Sequence, residues 1–291
     1  MWETITVKAP AKLNLTLDVL SRRTDGYHDL KMIMQSVSLA DRVTLAPGTG
    51  NGIRVRTNLS FLPNDRTNLA AKAAEAFFAA SEIAPIPLDI TLDKRIPVCA
   101  GTAGGSSDAA AVLRGLNRIL NTGYAPAELA KIGESVGSDV PYCVLGCTAL
   151  AEGRGEKLTV LPPLPHCAFV LCKPGFSIST PELFGAIDSV KLHCRPDTDG
   201  TLKALELGDL IGVCRRLYNV FEDALPAARR STIEEIRGVL LEQGALASCM
   251  SGTGPTVYGI FPDPASAEAA AAVLKRSWQD TFACEAVQPE L

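Results

Sequence analysis

Apolar and polar residues alternate in the first part of the chain. Residues 11–19 (AKLNLTLDV) place an aliphatic side chain at every second position from Leu13, with a polar side chain at each position between. This period of two predicts a strand that has one apolar and one polar face. Short runs of strand-forming residues predict further strands at 31–39, 42–47, 52–57 and 88–96. The first sixty residues are therefore expected to consist mostly of strands.

Helical patterns follow these strands. Residues 68–80 begin with a capping asparagine and are rich in good helix formers, so they predict a helix. Two more helices are predicted at 106–120 and 126–137, the second of them ending at a glycine. The second half of the chain predicts a strand at 167–173, helices at 181–187, 205–218 and 231–243, two strands around a glycine turn at 247–261, a helix at 264–278 and a strand at 282–288.

The order of elements in the second half is that of a small α+β sandwich, with helices on one side of an antiparallel sheet. A proline-rich segment at 162–165 precedes this half and has the composition of a connector. We therefore predict two domains of ordinary size, residues 1–158 and 159–291. The expected fold class is α+β.

Composition narrows the class of protein. Hydrophobic residues make up 47% and charged residues 21% of the 291, which is the balance of a compact globular protein. The formal net charge is −4 and no run of Lys or Arg occurs, so we do not expect nucleic acid as a partner. The N-terminal segment lacks a signal-peptide core, and there is no run of about 18 apolar residues to span a bilayer. We expect no membrane partner and a cytoplasmic location.

Nine cysteines are scattered singly along the chain, without a CxxC pair, and only three histidines are available as co-ligands. An odd number of dispersed cysteines does not indicate a disulfide framework, and a structural zinc site needs a tighter cluster. We expect buried, reduced thiols that behave as small hydrophobic side chains in a reducing compartment.

A run of small residues at 97–105 (PVCAGTAGG), here called the glycine loop, precedes two serines and an alanine-rich helix. The free N–H groups at the start of such a helix form a site for a phosphate, and small residues let the backbone approach it. The alternative is a tight strand-to-helix connection with a serine N-cap. No Lys follows Gly105, so this is not a Walker A loop, and Gly101 and Gly104 lack the close first pair of a dinucleotide-binding fingerprint.

Four segments of the chain together resemble the GHMP small-molecule kinases, the family of galactokinase, homoserine kinase and mevalonate kinase. The segments are 9–41, 97–113, 137–158 and 250–261. The resemblance implies a two-domain GHMP kinase fold, with an N-terminal domain like domain 2 of ribosomal protein S5 and a ferredoxin-like C-terminal domain. The first domain would bind ATP and carry out catalysis, the second would bind substrate, and the site would lie in the cleft between them.

The resemblance implies an enzyme that transfers a phosphoryl group from ATP, with Mg²⁺, to a hydroxyl of a small molecule. In detail it implies a substrate that carries a cytidine diphosphate group and belongs to isoprenoid (terpenoid) biosynthesis. One alternative is another GHMP kinase, of the mevalonate or homoserine type, whose aliphatic acid substrate would require cationic groups instead of an aromatic slot. The other is a catalytically inactive family member that only binds a ligand, against which both Lys12 and Asp139 are present.

The resemblance also implies roles for individual residues. Lys12 would stabilise charge on the transferring phosphate, and Asp139 would accept the proton of the substrate hydroxyl as general base. The residues implied in ATP binding are Asn68 and Lys94 near the adenine and, around the glycine loop, Pro97, Val98, Cys99, Ala100, Gly101, Thr102, Ala103, Gly104, Gly105, Ser106 and Ser107. The residues implied in substrate binding are Asn14, Tyr27, His28, Thr180, Phe184, Gly252, Thr253 and Gly254.

Among the substrate-binding residues, Tyr27 and Phe184 would sandwich the cytosine while His28 reads its edge. Mg²⁺ would contact the hydroxyl of one of the two serines after the glycine loop, and no acidic ligand is assigned. The stretch 219–222 (NVFE) resembles a family stretch but has Val220 where an acid is expected. We therefore assign this stretch no chemistry.

Overall fold

The computed structural model describes residues 2–287, which form a seven-stranded and a four-stranded sheet with helices packed on them. The strands are β1 (Ile5–Arg22), β2 (His28–Pro47), β3 (Ile53–Thr57), β4 (Leu88–Asp93), β5 (Ala149–Gly153), β6 (Lys157–Val160), β7 (Ala168–Cys172), β8 (Tyr218–Asn219), β9 (Ala247–Met250), β10 (Val257–Phe261) and β11 (Thr281–Glu285). The helices are α1 (Leu69–Ser81), α2 (Gly104–Leu120), α3 (Pro126–Glu134), α4 (Val140–Leu145), α5 (Thr180–Ile187), α6 (Thr198–Glu206), α7 (Leu210–Cys214), α8 (Ala227–Glu242) and α9 (Pro264–Leu274). The first sheet has the order β3-β4-β2-β1-β8, and in addition β5 pairs with β2 and β6 pairs with β5. The second sheet has the order β11-β7-β10-β9.

β1 and β2 form a long antiparallel pair at the centre of the first sheet. The strands predicted at 31–39 and 42–47 are one continuous strand, so their separation was wrong. The apolar pattern is interrupted there by a β-bulge, because Pro10 pairs with Ala40 whereas Ala11 pairs with Val37. A bulge shifts the alternation of side chains without ending the strand.

Both faces of β1 are buried in its central part. Leu13 and Leu15 lie on one face, in a buried apolar cluster that also contains Phe169 and Leu171 of β7 and Tyr258 of β10. On the other face Lys12, Asn14 and Thr16 are at most 5% exposed, although their polar character suits a solvated face. Buried polar side chains need hydrogen-bond partners. The partners of Lys12 and Asn14 define one end of the site described below.

The helices of the first half pack against the first sheet and against each other. Asn68 caps α1, because its Oδ1 accepts a hydrogen bond from Ala70 N at 2.9 Å, as the sequence predicts. α2 begins at Gly104, two residues before the predicted start, and buries Ala109 to Leu113 completely. Within residues 2–287 no helix combines the length and hydrophobicity that crossing a membrane requires.

The segment 205–218, predicted as one helix, belongs to three elements. α6 ends at Glu206, and Gly208 follows with a φ of 65°. Asp209 then caps α7, because its Oδ1 accepts a hydrogen bond from Gly212 N at 2.8 Å. A left-handed glycine ends a helix and a capping aspartate starts one. After α7 the chain enters β8, which pairs in parallel with β1.

The two sheets are connected by elements from the second half of the chain. β8 extends the first sheet, and a bridge pairs Val37 of β2 with Ala286. The boundary predicted near residue 158 falls inside β6, and the division into 1–158 and 159–291 stays a prediction. The last predicted strand, 282–288, corresponds to β11, and Gln288 lies outside the described residues.

Seven of the nine cysteines are buried, as predicted. Burial raises the pKa of Cys172 and of Cys214 to about 11, so these thiols stay protonated and pack as apolar side chains. The prediction was wrong for Cys99 and Cys194, which are exposed. Cys99 is exposed because it belongs to the glycine loop, which borders a cleft instead of packing into the core.

Candidate active site

A cleft of about 1250 Å³ is lined by the glycine loop, β1, α5 and the turn between β9 and β10. Of the residues predicted for the site, those that line it are Lys12, Tyr27, His28, Asn68, Lys94, Pro97, Val98, Cys99, Ala100, Gly101, Thr102, Ala103, Gly104, Gly105, Ser106, Asp139, Thr180, Phe184, Gly252, Thr253 and Gly254. Asn14 and Ser107 are the two predicted residues that do not line it. Residues far apart in the sequence thus meet in one cavity.

The glycine loop reaches α2 through three left-handed residues. Cys99, Gly101 and Ala103 have φ values of 53°, 76° and 56°. Ala103 is the N-cap residue of α2 and has no side-chain cap, so the alternative of a serine N-cap is wrong. Ser107 N donates to Ala103 O at 2.9 Å, and the N–H groups before it have no partner within the helix. These groups border the cleft and suit an anion.

Ser107 has a structural contact in place of the predicted contact with phosphate or Mg²⁺. Its side chain is fully buried, and its hydroxyl donates to the carbonyl oxygen of Pro10 at 2.7 Å. The helical rotation of about 100° per residue turns this serine towards β1 while Ser106 faces the cleft. The predicted role of Ser107 is therefore corrected, and Ser106 is the serine that lines the cleft.

Lys12 and Asp139 lie next to each other in the lining of the cleft. Lys12 Nζ is 3.8 Å from Asp139 Oδ2, and the lysine side chain is 6% exposed whereas that of the aspartate is 35% exposed. Asp139 occupies the N-cap position of α4 without capping it through its side chain, so its carboxylate is available to the cleft. The backbone N–H of Lys12 donates to Thr102 O at 3.1 Å, which joins β1 to the glycine loop.

Asn14 lies behind this pair. It is fully buried, and its Oδ1 accepts a hydrogen bond from Lys12 Nζ at 2.8 Å. Its Nδ2 points to the sulfur of Met32 at 3.4 Å. Asn14 therefore contacts Lys12 and does not line the cleft, and its direct contact with substrate stays a prediction.

Lys94 is held between two carboxylates that the sequence analysis missed. Its ammonium group donates to Oδ2 of Asp41 and to Oδ2 of Asp108, and all three side chains are buried. Asp41 Oδ1 also accepts a hydrogen bond from Ile96 N at 2.8 Å. Burial raises the pKa of Asp108 to about 7, with Lys94 acting in the opposite direction. Asp41 and Asp108 are acidic residues within the segments 9–41 and 97–113 that resemble the kinase family, and this was the signal in the sequence that could have identified them.

Asn68, the other residue predicted near the adenine, uses its amide within the protein. Its Oδ1 caps α1, and its Nδ2 donates to the carbonyl oxygen of Pro63 at 2.8 Å. The residue lines the cleft, but neither polar atom of its side chain is without a partner. The second N–H of Nδ2 and the second lone pair of Oδ1 remain available, so the contact of Asn68 with adenine stays a prediction.

The aromatic end of the cleft is formed by Tyr27, His28 and Phe184, and a cytosine held between Tyr27 and Phe184 stays a prediction. The ring of His28 faces Phe184, with centroids 5.1 Å apart and planes inclined by 32°. Tyr27 is 52% exposed, and its ring is covered by the guanidinium group of Arg154 at 4.3 Å from the centroid. His28 Nε2 lies 2.7 Å from Asp188 Oδ1, a partner that the sequence analysis missed. The observed aromatic pair is therefore His28 and Phe184.

The segment 251–255 (SGTGP), here called the glycine turn, connects β9 to β10 and touches the glycine loop. A Cβ atom on Gly101 would lie 2.2 Å from Ser251 O. Ser251 Oγ donates to the carbonyl oxygen of Gly101 at 3.0 Å. The hydroxyls of Thr180, at the start of α5, and of Thr253, in the glycine turn, are 2.9 Å apart. The two glycine segments therefore form one continuous wall.

The stretch 219–222, to which no chemistry was assigned, holds the glycine turn in place. Asn219 Nδ2 donates to Met250 O and to Gly252 O, each at 2.8 Å. Glu222 Oε1 accepts a hydrogen bond from Met250 N at 2.9 Å. The signal available in the sequence was the pair Asn219 and Glu222, which the stretch retains although it lacks an acid at position 220.

Two family profiles match the chain, one in each half. Residues 68–147 match the GHMP kinases N-terminal domain, and residues 201–280 match the GHMP kinases C-terminal domain. The chain belongs to the GHMP kinase family. It is therefore a phosphotransferase that uses ATP and acts on a small molecule.

Several relatives of this chain carry the name of one particular kinase. A 4-diphosphocytidyl-2-C-methyl-D-erythritol kinase of Lachnospira eligens is 43% identical over 264 residues, which cover 91% of each protein. The kinase of the same name from Enterococcus faecalis is 45% identical over 87% of this chain and 88% of that protein. A crystal structure of 4-(cytidine 5'-diphospho)-2C-methyl-D-erythritol kinase matches with a TM-score of 0.80 at 34% identity, over 97% of this chain and 99% of that one. A homoserine kinase from Cytophaga hutchinsonii, 17% identical with a TM-score of 0.76 over 99% and 96% of the two chains, shares the fold.

Proposed function

We propose that this protein transfers the γ-phosphoryl group of ATP to the 2-hydroxyl of 4-diphosphocytidyl-2-C-methyl-D-erythritol, in the non-mevalonate (methylerythritol phosphate) pathway of isoprenoid biosynthesis. One observation carries the proposal: a single cleft holds the start of α2, the Lys12–Asp139 pair and an aromatic end. Phosphoryl transfer requires a phosphate cradle, charge stabilisation and a proton acceptor, and the cleft supplies all three. Relatives 43% and 45% identical carry the name of this kinase.

The reaction proceeds by direct transfer. Asp139 accepts the proton of the substrate hydroxyl while the hydroxyl oxygen forms a bond to the γ-phosphorus. The bond from that phosphorus to the oxygen bridging the β- and γ-phosphates breaks, and ADP leaves with the electron pair. Lys12 stabilises the charge on the transferring group, and Asn14 holds its ammonium group in position. The N–H groups at the start of α2 bind the phosphates of ATP.

Mg²⁺ fits the donor atoms at the phosphate end of the cleft. Ser106 and Asp108 both line the cleft, and Asp108 Oδ1 is buried without a hydrogen-bond partner among residues 2–287. Oxygen donors of this kind, completed by substrate phosphates, are what Mg²⁺ prefers. Ser106 and Asp108 would hold the ion. When bound, Mg²⁺ neutralises part of the phosphate charge.

The aromatic end selects the base of the substrate. His28, Phe184 and Tyr27 offer ring faces on which a cytosine stacks, which contributes about 1–3 kcal/mol per base. Asp188 fixes the ring of His28 through a 2.7 Å contact to its Nε2. An aliphatic acid such as mevalonate or homoserine gains little from such a surface.

We also propose that the protein works in the cytoplasm and has no nucleic-acid partner. The reaction takes place in the cytoplasm, since nine unpaired cysteines suit a reducing compartment. The net charge of −4 provides no footprint for nucleic acid. Residues 1–158 supply the nucleotide side of the cleft, and residues 159–291 supply Thr180, Phe184 and the glycine turn.

A coupled ADP-release assay tests the proposed function. The purified protein is given ATP, Mg²⁺ and one acceptor at a time: the cytidyl substrate, mevalonate, homoserine or galactose. We expect turnover with the cytidyl substrate alone, and ³¹P NMR should place the new phosphate on the 2-hydroxyl. Turnover with mevalonate or homoserine instead would assign another kinase activity, and no ADP release with any acceptor would indicate a binding module.

A further inference from the structure

Arg154 lines the cleft but has no role in the function derived so far. It lies in the tight turn between β5 and β6 and is half-buried. Its guanidinium group covers the ring of Tyr27 at 4.3 Å from the centroid. A guanidinium over an aromatic face is held by cation–π attraction, which leaves its N–H donors in the plane of the group free for other partners.

The turn that carries Arg154 is fixed by its own contacts. Glu156 Oε2 accepts a hydrogen bond from Arg154 N at 2.6 Å. Gly153 and Gly155 have φ values of 69° and 116°, which only glycine adopts readily. A Cβ atom on Gly155 would lie 3.5 Å from Ser138 O, so the turn packs against the residue that precedes Asp139. Arg154 is thus anchored between the aromatic end of the cleft and the Lys12–Asp139 pair.

The other cationic side chains of the cleft are already paired. Lys12 lies 3.8 Å from a carboxylate oxygen of Asp139, and Arg22 lies 3.6 Å from one of Asp188. Lys94 donates to two buried carboxylates. In the described part of the chain, by contrast, no carboxylate oxygen lies within 4.0 Å of the guanidinium nitrogens of Arg154, and none forms a salt bridge with it. The pKa of Asp25 is lowered mainly by a hydrogen bond from Tyr27 N and only in small part by the charge of Arg154, so among the described residues Arg154 has no ion pair and its N–H donors are available to a ligand.

We propose that Arg154 is a further substrate-binding residue, which binds the diphosphate that joins the cytidine to the methylerythritol. The inference rests on the proposed function. With the cytosine at the aromatic end and the 2-hydroxyl at Asp139, the diphosphate lies between them, where Arg154 is anchored. A guanidinium group matches two phosphate oxygens at once, and such charge-assisted pairs are stronger than neutral hydrogen bonds. Stacking on Tyr27 holds the group in place before substrate arrives.

Calorimetric titration with cytidine and with CDP tests this role, because the two ligands differ only in the diphosphate. Titrations are made with the ATP side saturated by a non-hydrolysable ATP analogue, for the wild type, Arg154→Gln and Arg154→Lys. We expect Arg154→Gln to lose about 10- to 100-fold in affinity for CDP, the range for hydrogen bonds to charged groups, and much less for cytidine. Arg154→Lys should recover part of the CDP affinity, because it keeps the charge without the planar fork.

Lys157→Gln is the matched control, since it removes one exposed positive charge three residues away that does not line the cleft. It should leave both affinities unchanged. In turnover, Arg154→Gln should raise the KM for the cytidyl substrate and leave the KM for ATP unchanged. Equal losses for CDP and cytidine, or no loss for either, would overturn the role of Arg154 alone. A wild type that binds neither ligand would overturn the proposed function and this inference with it.

Discussion

The ammonium group of Lys12 lies close to both Asn14 and Asp139. Lys12 Nζ donates to Asn14 at 2.8 Å and lies 3.8 Å from Asp139, in surroundings that leave the lysine side chain 6% exposed. Removing such charges from water costs free energy that their attraction only partly returns, so a buried ion pair is weak evidence for stability. The burial of Lys12 beside Asp139 is explained by the proposed phosphoryl transfer, in which Lys12 stabilises charge and Asp139 accepts a proton.

Replacing Asp139 by asparagine tests the proton acceptor. Asp139→Asn preserves the size of the side chain but removes the base, so kcat should fall by about 10²- to 10⁴-fold. The melting temperature should change little, because the side chain is partly exposed and caps no helix. Steady-state kinetics and thermal unfolding measure the two quantities.

The control for this substitution is Asp199→Asn, which removes an exposed carboxylate that pairs with Lys31 outside the cleft. It should retain the wild-type kcat. If Asp139→Asn also retained it, the assignment of the base would be wrong.

At the scale of elements, the glycine loop and the glycine turn depend on each other. Thr256 N donates to Ala100 O at 3.2 Å, and Ser251 Oγ donates to Gly101 O at 3.0 Å. Gly252 meets the backbone of Gly101 so closely that a Cβ atom there would lie 2.8 Å from its oxygen. Glycine serves here for close approach of two backbones as well as for a positive φ.

The substitution Gly101→Ala should force these two segments apart. The left-handed conformation alone costs a residue with a side chain roughly 1–2 kcal/mol, and the overlap with Ser251 O at 2.2 Å adds to this. We therefore expect the free energy of unfolding, measured with urea, to fall by more than that amount. The KM for ATP should rise as the glycine loop shifts.

Gly123→Ala separates strain from overlap. Gly123 has a φ of 71°, close to that of Gly101, but a Cβ atom there would have no neighbour within 4 Å. This variant should show the cost of left-handed strain alone and an unchanged KM. Equal effects of the two substitutions on stability and KM would show that contact between the segments has no part in ATP binding.

At the scale of the whole molecule, Asn219 connects the two sheets. It belongs to β8, pairs with Leu17 of the first sheet, and donates through its side chain to the strand end and turn of the second. The glycine turn therefore keeps its position relative to β1, and with it the width of the cleft. A short strand of two residues fixes the geometry between the halves.

Asn219→Ala should remove three buried hydrogen bonds, the two to the carbonyl oxygens of Met250 and Gly252 and the one from Phe221 N to Oδ1. The expected loss in the free energy of unfolding is about 1.5–4.5 kcal/mol, at about 0.5–1.5 kcal/mol per bond. The kcat/KM for the cytidyl substrate should fall as well, because the turn is released. Urea unfolding and steady-state kinetics measure both.

Asn117→Ala is the comparison for this variant. Asn117 also uses its amide in hydrogen bonds, to Tyr124 O at 3.0 Å and from Tyr124 N at 3.0 Å, but these lie at the end of α2 away from the cleft. It should lose stability and retain kcat/KM. A similar loss of kcat/KM in both variants would refute a specific role of Asn219.

The sequence by itself determined most strands, most helices and the glycine loop, because these follow from contacts within a few residues. It predicted no strand at β5, β6 or β8. Alternation around Leu13 specifies a strand, the side chain of Asn68 caps its own helix, and small residues at 97–105 permit a tight bend. It also contained the segments that resemble the kinase family. Nearly all residues carried over from that resemblance do line one cleft.

The tertiary structure alone decided which of these side chains face the cleft. Packing of α2 on β1 turned Ser107 inward and left Ser106 in the cleft. Two distant aspartates enclosed Lys94, and His28 instead of Tyr27 came to face Phe184. Local preference fixes the conformation of a segment, but the direction of a side chain depends on neighbours that the chain brings together only when it folds.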